Sequence, residues 1–158
     1  MAWTDPRTWV AGETVTAAQL NTHVRDNLKA VGDPWAAYTP TWTAVTTNPT
    51  LGNGILAGDF MQAGKLVAFR IDLTFGSTTN AGSGNYRWSL PVTSIIGSPL
   101  PVGQGSTQIA NVRTWGARLF AVGSVILTDS AGVEVSHNNP GVWANGSRIL
   151  ITGMYEAA

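Results

Sequence analysis

The sequence predicts a mainly β fold, an antiparallel β-sandwich of jelly-roll-like form preceded by one short N-terminal α-helix, and three observations predict it. Charged residues make up only 11% of the 158-residue chain, and glycine, threonine and asparagine take their place; that mixture suits strands, tight turns and hydroxyl-rich surfaces. Residues 65–75 alternate Val67, Phe69, Ile71, Leu73 and Phe75 with Ala68, Arg70, Asp72 and Thr74, the period of a half-buried strand. Further strand candidates then recur at short intervals between turn signals, as in a sandwich or jelly roll. An apolar fraction of 44% with seven tryptophans supplies a core and argues against disorder. The length suits one domain and a short extra segment, divided here at 1–35 and 36–158.

Residues 1–14 read as an extended aromatic lead-in carrying Trp3, Pro6 and Trp9. A helix over 17–31 follows. Thr16-Ala17-Ala18-Gln19 fits the capping box, in which hydroxyl and amide satisfy the first free backbone N–H groups. Leu20, Val24, Leu28 and Val31 then fall on one face, Gly32 offers a left-handed stop, and Pro34 prevents continuation. A helix this short is marginal alone in water, so its stripe docks either on its own β-domain or on other copies. Read as a heptad, Leu20, Val24 and Val31 share the seam with Asn27, a polar residue of the kind that fixes register.

The β-domain candidates are 38–46, 54–61, 65–75, 86–90, 108–115, 118–128, 133–136 and 148–156. Asn53-Gly54, Asn145-Gly146 and Asp129-Ser130-Ala131-Gly132 supply turns, and Gln62-Ala63-Gly64 joins 54–61 to the long strand. Two late segments are apolar on both faces. In 118–127, Phe120, Val122 and Ile126 oppose Leu119, Val125 and Leu127; in 148–155, Ile149, Ile151 and Tyr155 oppose Leu150 and Met154. An antiparallel sheet normally turns one face to water, so Leu119, Val125, Leu127, Leu150 and Met154 are expected to line an interface between subunits.

Lys+Arg and Asp+Glu balance at nine each, which leaves no basic stripe for nucleic acid and favours association. With no cysteine, disulfides, thiolate metal sites and a Cys nucleophile are excluded. The N-terminus lacks the basic start and apolar run of a signal peptide, and no segment is long enough to span a membrane; the expectation is a soluble protein made in the cytoplasm, without membrane insertion.

Signals of catalysis are sparse. His23 sits on the helix and His137 beside Ser136, which on a strand points to the opposite face. Asp59, Asp72, Asp129 and Glu134 are scattered, and an ion pair of Asp72 with Arg70 is the expected role of the former. Gly82-Ser83-Gly84 and Gly103-Gln104-Gly105 lack the features of phosphate loops, and no ligand spacing indicates a metal. The reading is therefore non-enzymatic, with no cofactor. Trp42 and Trp88 belong to the core. Trp115 and Trp143 stand beside turns, the latter near Asn138, Asn139 and Asn145. They either plug the ends of the sandwich or, with Asn138, stack a sugar and read its hydroxyls.

Two stretches carry a family resemblance. Residues 8–30, TWVAGETVTAAQLNTHVRDNLKA, with their Gly-Glu-x-Val-Thr-Ala-x-x-Leu-Asn core and Arg25-Asp26-Asn27-Leu28, resemble a segment of tail-fibre, minor-tail and head-fibre structural proteins of tailed bacteriophages. Residues 38–91 are similar to a β-domain found with it, through Tyr38-Thr39-Pro40-Thr41-Trp42-Thr43, Asn48-Pro49-Thr50-Leu51-Gly52-Asn53-Gly54, Gly64-Lys65, Gly82-Ser83-Gly84-Asn85-Tyr86 and Ser89-Leu90-Pro91. The resemblance implies a virion protein, commonly a homotrimer. It would dock to other virion proteins through residues 1–35 (Trp3, Trp9, Leu20, Val24, Asn27, Leu28 and Val31) and display a β-knob for adhesion or recognition of a host-surface glycan. A stand-alone carbohydrate-binding module and a small polysaccharide hydrolase are the alternatives.

Overall fold

A computed structural model describes residues 4–97 and 100–158; Trp3 lies outside them. Its nine strands are β1 (Ala36–Tyr38), β2 (Trp42–Ala44), β3 (Ile55–Ala63), β4 (Leu66–Thr74), β5 (Tyr86–Ser89), β6 (Pro101–Gln108), β7 (Val112–Ala121), β8 (Ser124–Thr128) and β9 (Arg148–Glu156). They form one antiparallel sheet in the order β1-β3-β4-β9-β6-β7-β8-β5-β2. The two edge strands, β1 and β2, are consecutive in the chain and only residues 39–41 join them, a link that spans at most about 14 Å. The sheet must therefore curl until its edges approach, forming a half-barrel. Trp42 of the last strand accordingly packs edge-on against Phe75, just past the third, at 5.3 Å between ring centroids. The fold is mainly β and antiparallel as expected, but hydrogen bonding runs through one curled sheet where two facing sheets were anticipated.

Alternation decides the interior. Val67, Phe69, Ile71 and Leu73 of β4 face inward with Ile149, Ile151 and Tyr155 of β9, Trp115, Ala117 and Leu119 of β7, Val125 and Leu127 of β8, and Tyr86 and Trp88 of β5. β6 contributes Gly105 at an inward position, where a Cβ would collide with the methyls of Leu127. Gly64, at φ 60°, turns β3 into β4. Phe75 and Trp143 stack at 4.8 Å, and Tyr86 meets both Trp42 and Trp88 edge-on. Each buried aromatic ring contributes roughly 1.5–3 kcal/mol or more.

Strand assignment between 101 and 128 differs from expectation. β6 was not anticipated, because Val102-Gly103-Gln104-Gly105-Ser106 has little apolar alternation. The segment 118–128 is two strands, turned at Val122-Gly123. Its division into faces holds, but the face chosen for a neighbouring subunit is the wrong one: Leu119, Val125 and Leu127 are fully buried in the chain's own core. Phe120 and Val122 face out. Ile126 is covered too, one register step beyond the Trp88↔Val125 pair and opposite Arg118. Beside it, Arg87 lies 3.9 Å over the Phe120 ring and pairs with Glu134 at 2.6 Å. On the wet face Asp72 pairs with Arg148 across β4 and β9, while Arg70 pairs with Asp59; side chains directly along one strand are farther apart than these cross-strand neighbours.

The helix runs as α1 (Ala17–Leu20), a π-helical turn (Asn21–Arg25) and α2 (Asp26–Gly32). The capping box forms as expected: Thr16 Oγ1 accepts from Gln19 N, and the Gln19 amide oxygen accepts from Thr16 N. Its end is not made by a left-handed Gly32. Asp33 is extended, at φ −64° and ψ 145°, the conformation favoured before proline.

Candidate functional site

The strand register defines two ends. At one, Ala63 pairs with Leu66, Leu66 with Glu156 and Pro101 with Arg118. At the other, Thr74 pairs with Arg148, Gln108 with Arg148 and Gln108 with Val112. The helix joins the first end. Ala36 pairs with Phe60, and a shallow cleft between helix and sheet is lined by Ala30, Asp33, Pro34, Phe60, Met61 and Gln62. Connections 45–54, 75–85, 109–111 and 129–147 all gather at the opposite end.

On the helix, burial runs against hydropathy. His23, Asn27 and Ala30 form the covered face. Asn27 is 5% exposed: its Oδ1 accepts from Thr4 N at 3.0 Å, and its Nδ2 donates to Thr4 O at 2.7 Å and to His23 O at 3.2 Å. The amide thus pairs the lead-in as a neighbouring strand would, and the His23 ring contacts Asp5 O at 3.2 Å. Arg7 ties back to Glu13 at 3.0 Å and lies over the Trp9 ring. The apolar stripe faces solvent: Leu20 is 48% exposed, Val24 41%, Leu28 69% and Val31 53%. Asn27 is therefore not on a seam with them, and the stripe does not fold onto the β-domain. Trp9, Val10 and Val15 are exposed beside it. The flank carries the pairs Arg25–Asp26 and Lys29–Asp33; the hydrogen bond from Arg25 holds the Asp26 carboxyl below its ordinary range.

The apolar exposure continues around the helix-bearing end, with Leu66, Ile95, Ile96, Leu100, Phe120, Val122 and Met154, and Trp35 stacked under Arg70 at 5.2 Å. Sequence reasoning missed this collar. Ile95-Ile96 ahead of Gly97 was the available signal, since an apolar pair in a loop has no strand to bury it. Of the five residues expected between subunits, Leu150 and Met154 do point outward, and Met154 is 60% exposed.

The sugar-stacking residues are placed differently from that expectation. Trp115 and Trp143 are buried, their indole N–H groups donating to Thr107 Oγ1 at 2.9 Å and to Ser136 O at 2.7 Å. Neither presents a ring face to a ligand; both plug the interior. Asn138 is exposed but accepts from Ser136 Oγ at 2.9 Å. His137 Nδ1 accepts from Gly84 N at 3.0 Å, so Ser136 and His137 are not hydrogen-bonded as a nucleophile and base would be. The described residues contain no cluster of three or more His, Asp or Glu side chains suited to a metal, and none of their helices is long and apolar enough to cross a membrane.

Loop-end polar groups are largely spent on one another. Asn53 bridges Ser77 and Thr78, Asn48 accepts from Ala44 N, Asn80 accepts from Gly82 N, and Asn139 donates to Glu134 O. The loops are held in place by these bonds. No protein family, curated protein or solved structure matches the chain.

Proposed function

We propose that this chain is a non-enzymatic virion structural protein of tailed-phage type, a fibre, minor-tail or decoration component. It docks to the particle through residues 1–35 and displays its β-domain, with jelly-roll-like architecture, as a homotrimer. The observation that carries the reading is the inverted helix: its small and polar face is covered by its own chain while Leu20, Val24, Leu28 and Val31 stand in water. Because the four side chains are only 41–69% exposed, covering what remains of the stripe is worth roughly half of the 1.5–3 kcal/mol of a full burial per side chain, less the cost of association. The apolar collar lies at the same end, and the latched loops lie at the other, so docking and display fall to opposite ends. The phage-type segment at 8–30 supports the same assignment. The host bacterium's cytoplasm is then the site of synthesis and the virion the destination, with other virion proteins and a host-surface glycan as partners.

The test is the mass in solution of the full chain and of a Leu20→Asp/Val24→Asp/Leu28→Asp variant, by light scattering after size exclusion. The expected outcome is a trimer of the 16.6-kDa chain that becomes a monomer in the variant with its β-domain melting unchanged. A monomeric full chain overturns the trimer. Incorporation of a chain lacking residues 1–35 into particles overturns the docking assignment.

A further inference from the structure

We propose that the mouth of the half-barrel at the loop end binds a carboxylate-bearing sugar unit, with Arg113 taking the carboxylate. This rests on the reading above, in which that end is displayed. In β7, Trp115, Ala117 and Leu119 occupy inward positions, and the next inward position toward the loop end is Arg113. It pairs in register with Thr107, which is fully buried. A charged side chain thus replaces the apolar residue that the alternation calls for, at the rim where the barrel opens. Directly beneath, Thr107 is committed to Trp115.

Arg113 lines a cleft of about 240 Å³ with Ile109, Ala110, Asn111, Pro140 and Gly141. Arg7, Arg25, Arg70, Arg87 and Arg148 each pair with a carboxylate. Arg113 has no acid within ion-pair distance among the described residues, and the cleft lining contains none. A single guanidinium fork, without a second cation, matches one carboxylate better than a phosphate that gathers several charges. Ile109 and Pro140 offer an apolar surface to the C–H face of a ring, and Asn111 offers an amide to a hydroxyl. The volume lies just below that of ordinary small-ligand pockets, which limits the occupant to about one ring. The opposite wall is close as well: a Cβ at Gly141 would stand 3.4 Å from Ile109 Cδ1, and Gly141 is outside the positive-φ glycines, so a side chain there fills the cleft without backbone strain.

The experiment is a titration of the isolated full-length protein with sodium D-glucuronate, followed by amide NMR. D-glucose, sodium acetate and inorganic phosphate at matched ionic strength are the comparisons. Saturable shifts at residues 109–114 and 140–142 with glucuronate are expected, with affinity on the order of millimolar and no saturation with glucose. Arg113→Gln should weaken binding at least tenfold and Gly141→Val should abolish it. Arg118→Gln, which removes the other arginine without an acid partner among the described residues, should leave it unchanged. Non-saturable glucuronate shifts, or equal binding by Arg113→Gln, overturn the site. Acetate or phosphate binding as tightly as glucuronate overturns the sugar assignment. Because the readout needs neither trimer nor particle, its failure is separate from any failure of the docking assignment.

Discussion

Along the central strand β4, hydropathy and burial agree from Val67 to Thr74; along the helix they are reversed. Along β4 the apolar set Val67, Phe69, Ile71 and Leu73 is buried and the set Ala68, Arg70, Asp72 and Thr74 is not. Along the helix Asn27 is buried and Leu28, its neighbour, is the most exposed of the stripe. The same chain thus contains one region that completes its own core and another whose apolar surface is left over. A surplus of that kind on an ordered, capped helix is what the proposed docking role requires, since solvent exposure of four adjacent apolar side chains gains nothing for the isolated chain.

The sharpest way to break the comparison is to truncate one residue on each side of it. Phe69→Ala removes a fully packed ring that meets Tyr155 at 5.7 Å and should cost about 3–5 kcal/mol in urea unfolding. Leu28→Ala should shift the same unfolding midpoint of the dissociated chain by no more than about 0.5 kcal/mol, while shifting the assembly equilibrium toward monomer. A large loss of monomer stability in Leu28→Ala would mean that the helix stripe is packed on its own domain after all.

Raising the pH should act on the β-domain through its buried tyrosines, and with smaller effect. Burial pushes the Tyr86 hydroxyl upward from its ordinary value of 10.0, and burial likewise pushes Tyr155 up to about 12, with the hydrogen bond from Val92 opposing it. A tyrosine whose folded form holds its proton more tightly than the unfolded chain contributes fully below pH 10. Above that the unfolded chain loses the proton first, so stability falls as pH rises toward 12, by up to about 1.4 kcal/mol per pH unit for each tyrosine. Tyr155→Phe should reduce the slope by one proton's worth while costing about 1 kcal/mol at pH 8, because the hydroxyl donates to Val92 O at 2.6 Å. Urea midpoints at pH 8, 10 and 11 measure both; a flat profile would contradict the burial of these rings.

How much of this could be read in advance follows the same division. β4, the capping box at Thr16 and the turn at Asp129 were readable because each depends on local chemistry: alternation, a hydroxyl three residues from an amide, and a carboxylate accepting from Ala131 N and Val133 N. β6 was not, since its inward positions are Val102, Gly105 and Thr107, and Gly105 is there because Leu127 needs the space. Leu119, Val125 and Leu127 were put on the correct side of their strands but on the wrong side of the molecule, because two apolar faces do not declare which one the sheet curls around. Trp115 and Trp143 were ambiguous for a related reason: only the partners of their N–H groups, Thr107 and Ser136, reveal that the rings point inward. Arg113 shares a face with Trp115 by strand alternation alone; what local pattern did not announce is β6, which sets the buried Thr107 opposite Arg113.

The most localised expected effect probes why the helix is inverted. Asn27 spends its amide on both backbone groups of Thr4 and on His23 O, so the lead-in is bound to the helix through the polar face and the apolar face is kept clear. Asn27→Ala removes all three bonds and should cost about 1–2 kcal/mol, confined to this segment. Hydrogen exchange should then quicken at Thr4 and its neighbours, with protection in β4 and β9 unchanged. Asn27→Asp separates the two halves of the clamp: its carboxylate still accepts from Thr4 N but faces Thr4 O without a donor, so it should be the worse variant at neutral pH and recover on acidification. If Asn27 served instead as a register residue between helices, either substitution would alter the oligomeric mass while leaving exchange at Thr4 as it was, and the roles assigned to the two helix faces would have to be exchanged.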